Sequence, residues 1–376
     1  MFEKVRATAK NTLLYSLSNF IGKFSGVILL PLYTSSLSAE LFGLFALFEV
    51  VFQVIQASTG LGLNNALMRW YWDSKHKDHQ KQIFFTTFCT YGLINLLVAI
   101  ILFAIFHVLA EYIFQTPINF ELKGIFILST FIRLMVDMLL LLMRIQHKAL
   151  KHTNYQVLQV ILFVSGIAVF LPILKLEVTG IFLAFLISYS CLLILLIPFI
   201  RKNIELHYRK DILKEMMSFG LPLALSNMVN LVLSLSDKLI INFFGTLKHV
   251  GNYTMAFKIS NIVQLVVVNA FMNSYTHVYF KGMDDEDNKR LFSRTIIYLI
   301  LTLSLISLGL VLFIEDVVLV LTLNNADYLD SIQLIPVLTL GLIFGGIRAM
   351  LTLPLSKHKK TKIISQIGRA SCRERV

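Results

Sequence analysis

Ten apolar stretches of membrane-spanning length follow one another along the chain, at roughly residues 12–33, 41–66, 83–110, 124–146, 155–174, 178–200, 217–244, 250–279, 292–314 and 332–355. A helix rises about 1.5 Å per residue, so about 20 apolar residues cross a hydrocarbon core of about 30 Å. A soluble core needs neither runs of this length nor so many of them. With 56% of residues hydrophobic and 15% charged, the chain is read as all-α and polytopic, with about ten transmembrane helices.

The connections between the stretches alternate in charge. Lys4, Arg6 and Lys10 precede the first stretch, Arg69, Lys75, Lys77 and Lys81 lie in the second connection, and Arg144, Lys148 and Lys151 in the fourth. Arg201, Lys202, Arg209, Lys210 and Lys214 fill the sixth, whereas the odd-numbered connections hold only Lys123, Lys175 and Lys248. The positive-inside rule then places the N-terminus and every even connection in the cytoplasm, as in a multi-pass protein of a bacterial cytoplasmic membrane. This use of the net charge of +12 leaves no reason to invoke nucleic acid. No cleavable signal peptide is expected, because the first run is too long and no small-residue cleavage site follows it. Cys89 and Cys191 sit in apolar runs, the histidines show no metal-ligand spacing, and no phosphate-binding glycine loop or nucleophile motif occurs. The chain is therefore expected to be no enzyme and to hold no metal or organic cofactor.

Residues 17–56 can be laid on residues 225–264, where Leu17, Ser18, Asn19, Gly43 and Gln56 meet Leu225, Ser226, Asn227, Gly251 and Gln264. The matched segments are the first two spans and the seventh and eighth. Six intervening helices preserve orientation, which predicts two parallel six-helix halves. The expected division is an N-terminal bundle over 1–201, a cytoplasmic linker over 202–216 and an incomplete four-helix second bundle over 217–366. Residues 367–376, IGRASCRERV, read as a translated sequencing-adapter oligonucleotide, so the second half is expected to lack its eleventh and twelfth helices.

Polar residues inside the spans supply the candidate site. Lys23 falls near the middle of TLLYSLSNFIGKFSGVILLPLY, on one stripe with Thr12, Ser16, Asn19 and Gly26. Further stripes hold Glu49, Gln53, Gln56, Gly60 and Asn64 on the second span, Asn227, Asn230, Ser234 and Asp237 on the seventh, and Thr254, Lys258, Asn261 and Gln264 on the eighth. A charge facing lipid costs about 3 kcal/mol on insertion scales, so the set Lys23, Arg133, Lys238, Lys258, Arg348, Glu49, Asp137 and Asp237 must mostly be paired or wet. Arg133 and Asp137, one turn apart, can neutralise each other. Helices 1, 2, 7 and 8 are thus expected around a central cavity, with helices 5, 6 and 9 mainly against lipid. Lys23 and Arg348, with Lys258, are the leading cationic ligands, Asn19, Gln53, Gln56, Asn227, Asn230, Asn261 and Gln264 the sugar-binding groups, and Glu49, Asp137 and Asp237 the candidates for H⁺ or Na⁺ coupling.

The segments NTLLYSLSNFIGKFSGVILLPLYTSSLSAELFGLF, RIQHKALKHTNYQVLQV and SDKLIINFFGTLKHVGNYTMAFKI, in that order and spacing, resemble the polysaccharide (O-antigen-type) flippases of the multidrug/oligosaccharidyl-lipid/polysaccharide exporter superfamily. The resemblance implies two helical bundles, alternating access, and passage of an undecaprenyl-pyrophosphate-linked oligosaccharide from the inner to the outer leaflet. Membrane lipids and other polysaccharide assembly proteins would be its partners. A compact polyanion suits a cavity with cationic side chains near the midplane, and an inside-negative potential favours outward movement of anionic charge. A drug exporter of the same superfamily would want a net acidic cavity instead. A membrane-embedded polysaccharide polymerase or ligase would need a catalytic constellation that the short odd connections give little room for.

Overall fold

A computed structural model describes residues 22, 26–281 and 288–357. Among them there is no strand, and the helices are α1 (Leu30–Ser36), α2 (Ala39–Gly60), α3 (Leu63–Trp70), α4 (Gln80–Leu109), α5 (Phe120–Ile145), α6 (Ala149–Phe170), α7 (Glu177–Asn203), α8 (Lys210–Phe244), α9 (Leu247–Val263), α10 (Asn269–Lys281), α11 (Asn288–Leu312), α12 (Ile314–Thr322) and α13 (Ser331–Lys357). Eight spans among the described residues are long and apolar enough to cross a membrane, and α8, bent by 46° between 210–229 and 234–244, makes a ninth. An apolar helical stretch over Gly26–Ser36 is the described part of the first span. Nine of the ten expected segments are thereby accounted for, and most of the first, residues 12–21 and 23–25, lies outside the described residues.

Side chains on the outside carry the signature of a lipid solvent. Leu93, Leu97, Ile100 and Ile101 on α4 are each more than half exposed, an arrangement that water would penalise and hydrocarbon does not. Packing therefore comes from shape. Phe48 on α2, fully buried, lies 4.3 Å from the ring of Phe114 in the π-turn that ends the α4 span, 4.8 Å edge-on from Phe126 on α5, and 5.1 Å from Phe182 on α7. One aromatic cluster thus ties together four spans of the first unit.

Helix α7 departs from the sequence reading. The sixth span was expected mainly against lipid, yet Phe182, Ser188, Leu192 and Leu196 are buried and α7 packs along both α5 and α6. Its lack of a polar stripe reflects an apolar neighbour made of protein rather than of lipid.

The second span is also not one helix. Ser38 caps α2 by accepting from the Leu41 amide at 3.2 Å, and α2 ends at Gly60 because Leu61 and Gly62 both take positive φ, 39° and 72°. Asn64, expected on the same stripe as Glu49, falls on the separate α3. Gly62 also lies against the backbone of α8, where a Cβ would come 2.0 Å from the carbonyl oxygen of Gly220. Only glycine meets both demands. The two glycines let α3 and the start of α8 close together, and Arg69 stacks 4.7 Å from the Phe219 ring beside Trp70, whose Nε1 donates to Glu215 Oε2 at 3.3 Å.

The chain packs as two compact units, residues 1–250 and 251–376. Helix α8, which the repeat assigns to the second half, packs against α2 and α3 of the first unit. The second unit has its own core of Val263, Val268, Tyr275, Tyr279, Leu299, Leu303, Met350 and Leu353. Gly346 on α13 is a close-packing position there, since a Cβ would meet Val268 at 3.0 Å and Leu303 at 3.1 Å.

Gly62→Ala is expected to push α3 from α8. The penalty for a non-glycine residue at this φ and distance is about 1.4 kcal/mol or more, so the purified Gly62→Ala protein should melt a few degrees below the parent. An unchanged melting temperature would show that the glycine contact does not hold these helices.

Candidate functional site

Lys23 and Asn19 lie outside the described residues, and Asn230 is placed on α8 without a described side chain. The remaining candidates separate by unit. In the first unit the second-span stripe divides: Glu49 is half-buried and faces into the bundle, Gln53 is half-buried, and Gln56 is exposed. On α8, Asn227 and Ser234 are exposed and Asp237 is half-buried. In the second unit Lys258, Asn261 and Gln264 are half-buried, Gln264 opening a π-turn over Gln264–Val268 that the sequence reading missed. A π-turn widens the helix by one residue and is frequent at functional positions. Arg348 is exposed on α13.

The geometry of α13 explains that exposure. Two residues along a helix turn about 200°, so Gly346 packed inward on Val268 and Leu303 sends Arg348 to the opposite face. A guanidinium on the open face of a membrane-length helix has no place in hydrocarbon. It requires water or an anion.

Glu49 belongs to a different setting from the one expected. With Phe52 on α2, Ser129, Thr130 and Arg133 on α5, and Phe182 and Phe185 on α7, it lines a small cavity inside the first bundle with room for about one water molecule. Arg133 dominates this cavity. Its guanidinium carbon lies 3.9 Å from the centroid of Phe52, 5.0 Å from Phe185 and 5.7 Å from Tyr189. Its Nε is buried and has no hydrogen-bond partner among the described residues.

The intrahelical ion pair of Arg133 with Asp137 does not form within 4.0 Å. Local spacing favours that pair, but three rings from two other helices offer the planar cation a slot, and the cation–π attraction of a desolvated site, about 2 kcal/mol, outweighs an i,i+4 contact of about 0.5 kcal/mol. The result is a carboxylate, a guanidinium and two hydroxyl-bearing side chains around a space able to admit water.

Arg133→Lys is expected to lower the melting temperature of the purified protein by several degrees, because an ammonium cannot stack flat between Phe52 and Phe185. Arg133→Met should melt lower still, since it keeps an apolar contact with the rings but loses the cation–π attraction and leaves Asp137 without the charge one turn away. A Met variant as stable as the parent would mean that the charge contributes nothing to holding α5 against α2 and α7.

Comparison with known proteins follows the same lines. No curated protein matches the chain. Among solved structures, it is similar to a multidrug resistance MATE family transporter of the MOP superfamily in an inward-facing conformation, with a TM-score of 0.69 and 16% identity over 92% of this chain and 83% of that one. It is similar to the lipid II flippase MurJ in an inward closed conformation, with a TM-score of 0.68 and 13% identity over 92% of this chain and 76% of that one. A Vibrio cholerae MATE transporter aligns with a TM-score of 0.57 and 13% identity over 93% and 84%. At these identities the likeness is one of fold. Residues 8–276, more than half of the chain, match the family described as polysaccharide biosynthesis protein, and the chain belongs to that family.

Proposed function

We propose that the protein is a flippase that carries a lipid-linked oligosaccharide, joined through an undecaprenyl pyrophosphate, from the inner to the outer leaflet by alternating access. The observation that carries this reading is the exposed guanidinium of Arg348 within a membrane-length helix, in a chain of the polysaccharide biosynthesis family. A cation in that position is stabilised by a compact anion such as pyrophosphate, and the amides and hydroxyl of exposed Asn227, Ser234 and Gln56 in the first unit are groups that can bind sugar hydroxyls. Lys23 and Lys258 are the further cations of the reading. The N-terminus and even connections are cytoplasmic in it, as their basic residues require.

The MATE neighbours favour a second reading, export of a small molecule, since their fold fits this chain as well as that of the lipid flippase. Charge separates the two. The described spans hold Arg133 without an ion pair to Asp137 and Arg348 exposed, which suits an anionic cargo better than a cationic drug. Coupling to H⁺ or Na⁺ would fall to Glu49, Asp137 or Asp237. Glu49 has the best claim, because its cavity is open to water-sized occupants.

The test is complementation in a flippase-deficient strain with the gene in its full natural length. Arg348→Ala and Lys23→Ala are each expected to lower surface-glycan output about tenfold, the value of one charge-assisted hydrogen bond, with unchanged protein level in the membrane. Lys23→Arg should keep part of the activity. Rescue by the parent gene of a drug-exporter deletion, but not of the flippase deletion, would establish the second reading. Normal output from both alanine variants would remove these cations from the substrate path.

A further inference from the structure

A second group of cations sits outside the spans, where the second and fourth connections meet the end of α7. Gln146 is its hub: Nε2 donates to Tyr71 Oη and to Asn203 Oδ1, each at 2.6 Å, while Oε1 accepts from Lys148 Nζ. Lys148 is thereby held by a neutral amide, with Nζ also 5.0 Å from the ring of Phe199. Its ammonium is destabilised first by burial and then by Lys151 and Lys202, so positive charge gathers here without local compensation. Carboxylates at this end are engaged elsewhere: Asp211 pairs with Arg209, and Glu215 accepts from Trp70 Nε1. Asp73 caps its own turn through the Lys75 amide at 3.0 Å, and Glu205 accepts from Gln82 Nε2 at 2.6 Å.

Beside the lysines stands an exposed indole. Trp72 is 56% exposed, donates from Nε1 to the Ile145 carbonyl at 3.0 Å, and stacks on His147 at 6.1 Å. Leu150, on the first turn of α6, is 53% exposed. Lysines at the ends of two spans, a half-exposed indole and an outward leucine match the layers of a bilayer surface, with phosphates outside and acyl chains within. We infer that Lys148, Lys151 and Lys202, with Trp72, form a site for the phosphate-bearing head group of an anionic phospholipid in the cytoplasmic leaflet. This rests on the cytoplasmic placement of the even connections and is independent of the transported substrate.

The two tryptophans of the chain, Trp70 and Trp72, provide the readout. In the full chain carrying Trp70→Phe, reconstituted in phosphatidylcholine, Trp72 fluorescence is quenched by dibrominated phosphatidylglycerol or dibrominated phosphatidylcholine as each replaces the host lipid. The expected result is a preference for the anionic lipid of about fivefold or more, the effect of at least one basic residue at a lipid surface, falling to near one in Lys148→Gln/Lys151→Gln/Lys202→Gln. Should the triple variant misfold, Lys202→Gln alone, at an exposed helix end, is expected to lower the preference by about half or more. Equal quenching by the two lipids in the parent, or an undiminished preference in the glutamine variants, would overturn the site. Loss of the preference on adding millimolar inorganic phosphate, at constant ionic strength, would overturn the lipid assignment in favour of a soluble phosphate.

Discussion

Hydrocarbon neither donates nor accepts a hydrogen bond, and each feature of this molecule is a response to that. It forces the backbone into helices and removes the hydrophobic effect as a force between them, because a leucine gains nothing by leaving lipid for another leucine. What remains is close packing, ring geometry and the few polar contacts that cannot be made elsewhere. Phe48 against Phe114, Phe126 and Phe182 does in the first unit what a water-driven core does in a soluble protein. Gly346 against Val268 and Leu303 does it in the second.

The same constraint decides what could be read from the sequence. Uninterrupted apolar runs specify spans with little ambiguity, and nine of the ten expected segments have their counterpart among the described residues. Which side of an apolar helix meets protein is another matter. Since lipid and protein interiors are equally apolar, Phe182, Leu192 and Leu196 carry no mark to tell burial in the bundle from exposure to lipid, and α7 could not be placed by its missing stripe. The break at Leu61 and Gly62 was signalled by the glycines of TGLGLNN, but its cause lies at Gly220, more than 150 residues away.

The candidate site was legible in its composition and not in its arrangement. Glu49 and Arg133 stand out as charges within apolar runs, yet helical spacing joins Glu49 to Gln53 and Gln56, and Arg133 to Asp137. In the structure Glu49 and Arg133 share one cavity across two helices. Intrahelical periodicity lists neighbours along one cylinder. It cannot count rings contributed by others, and for Arg133 those rings outweigh the neighbour one turn away.

Two arginines inside spans therefore meet the same cost in opposite ways. Arg133 is stacked among aromatic rings with a free Nε, where the protein supplies the environment itself. Arg348 is turned outward by the packing of Gly346, onto a face where it needs water or an anion. The difference bears on the repeat. Laying the first half on the second puts Lys23 against Leu231 rather than against a second cation, so the two halves cannot present matching charges to a substrate.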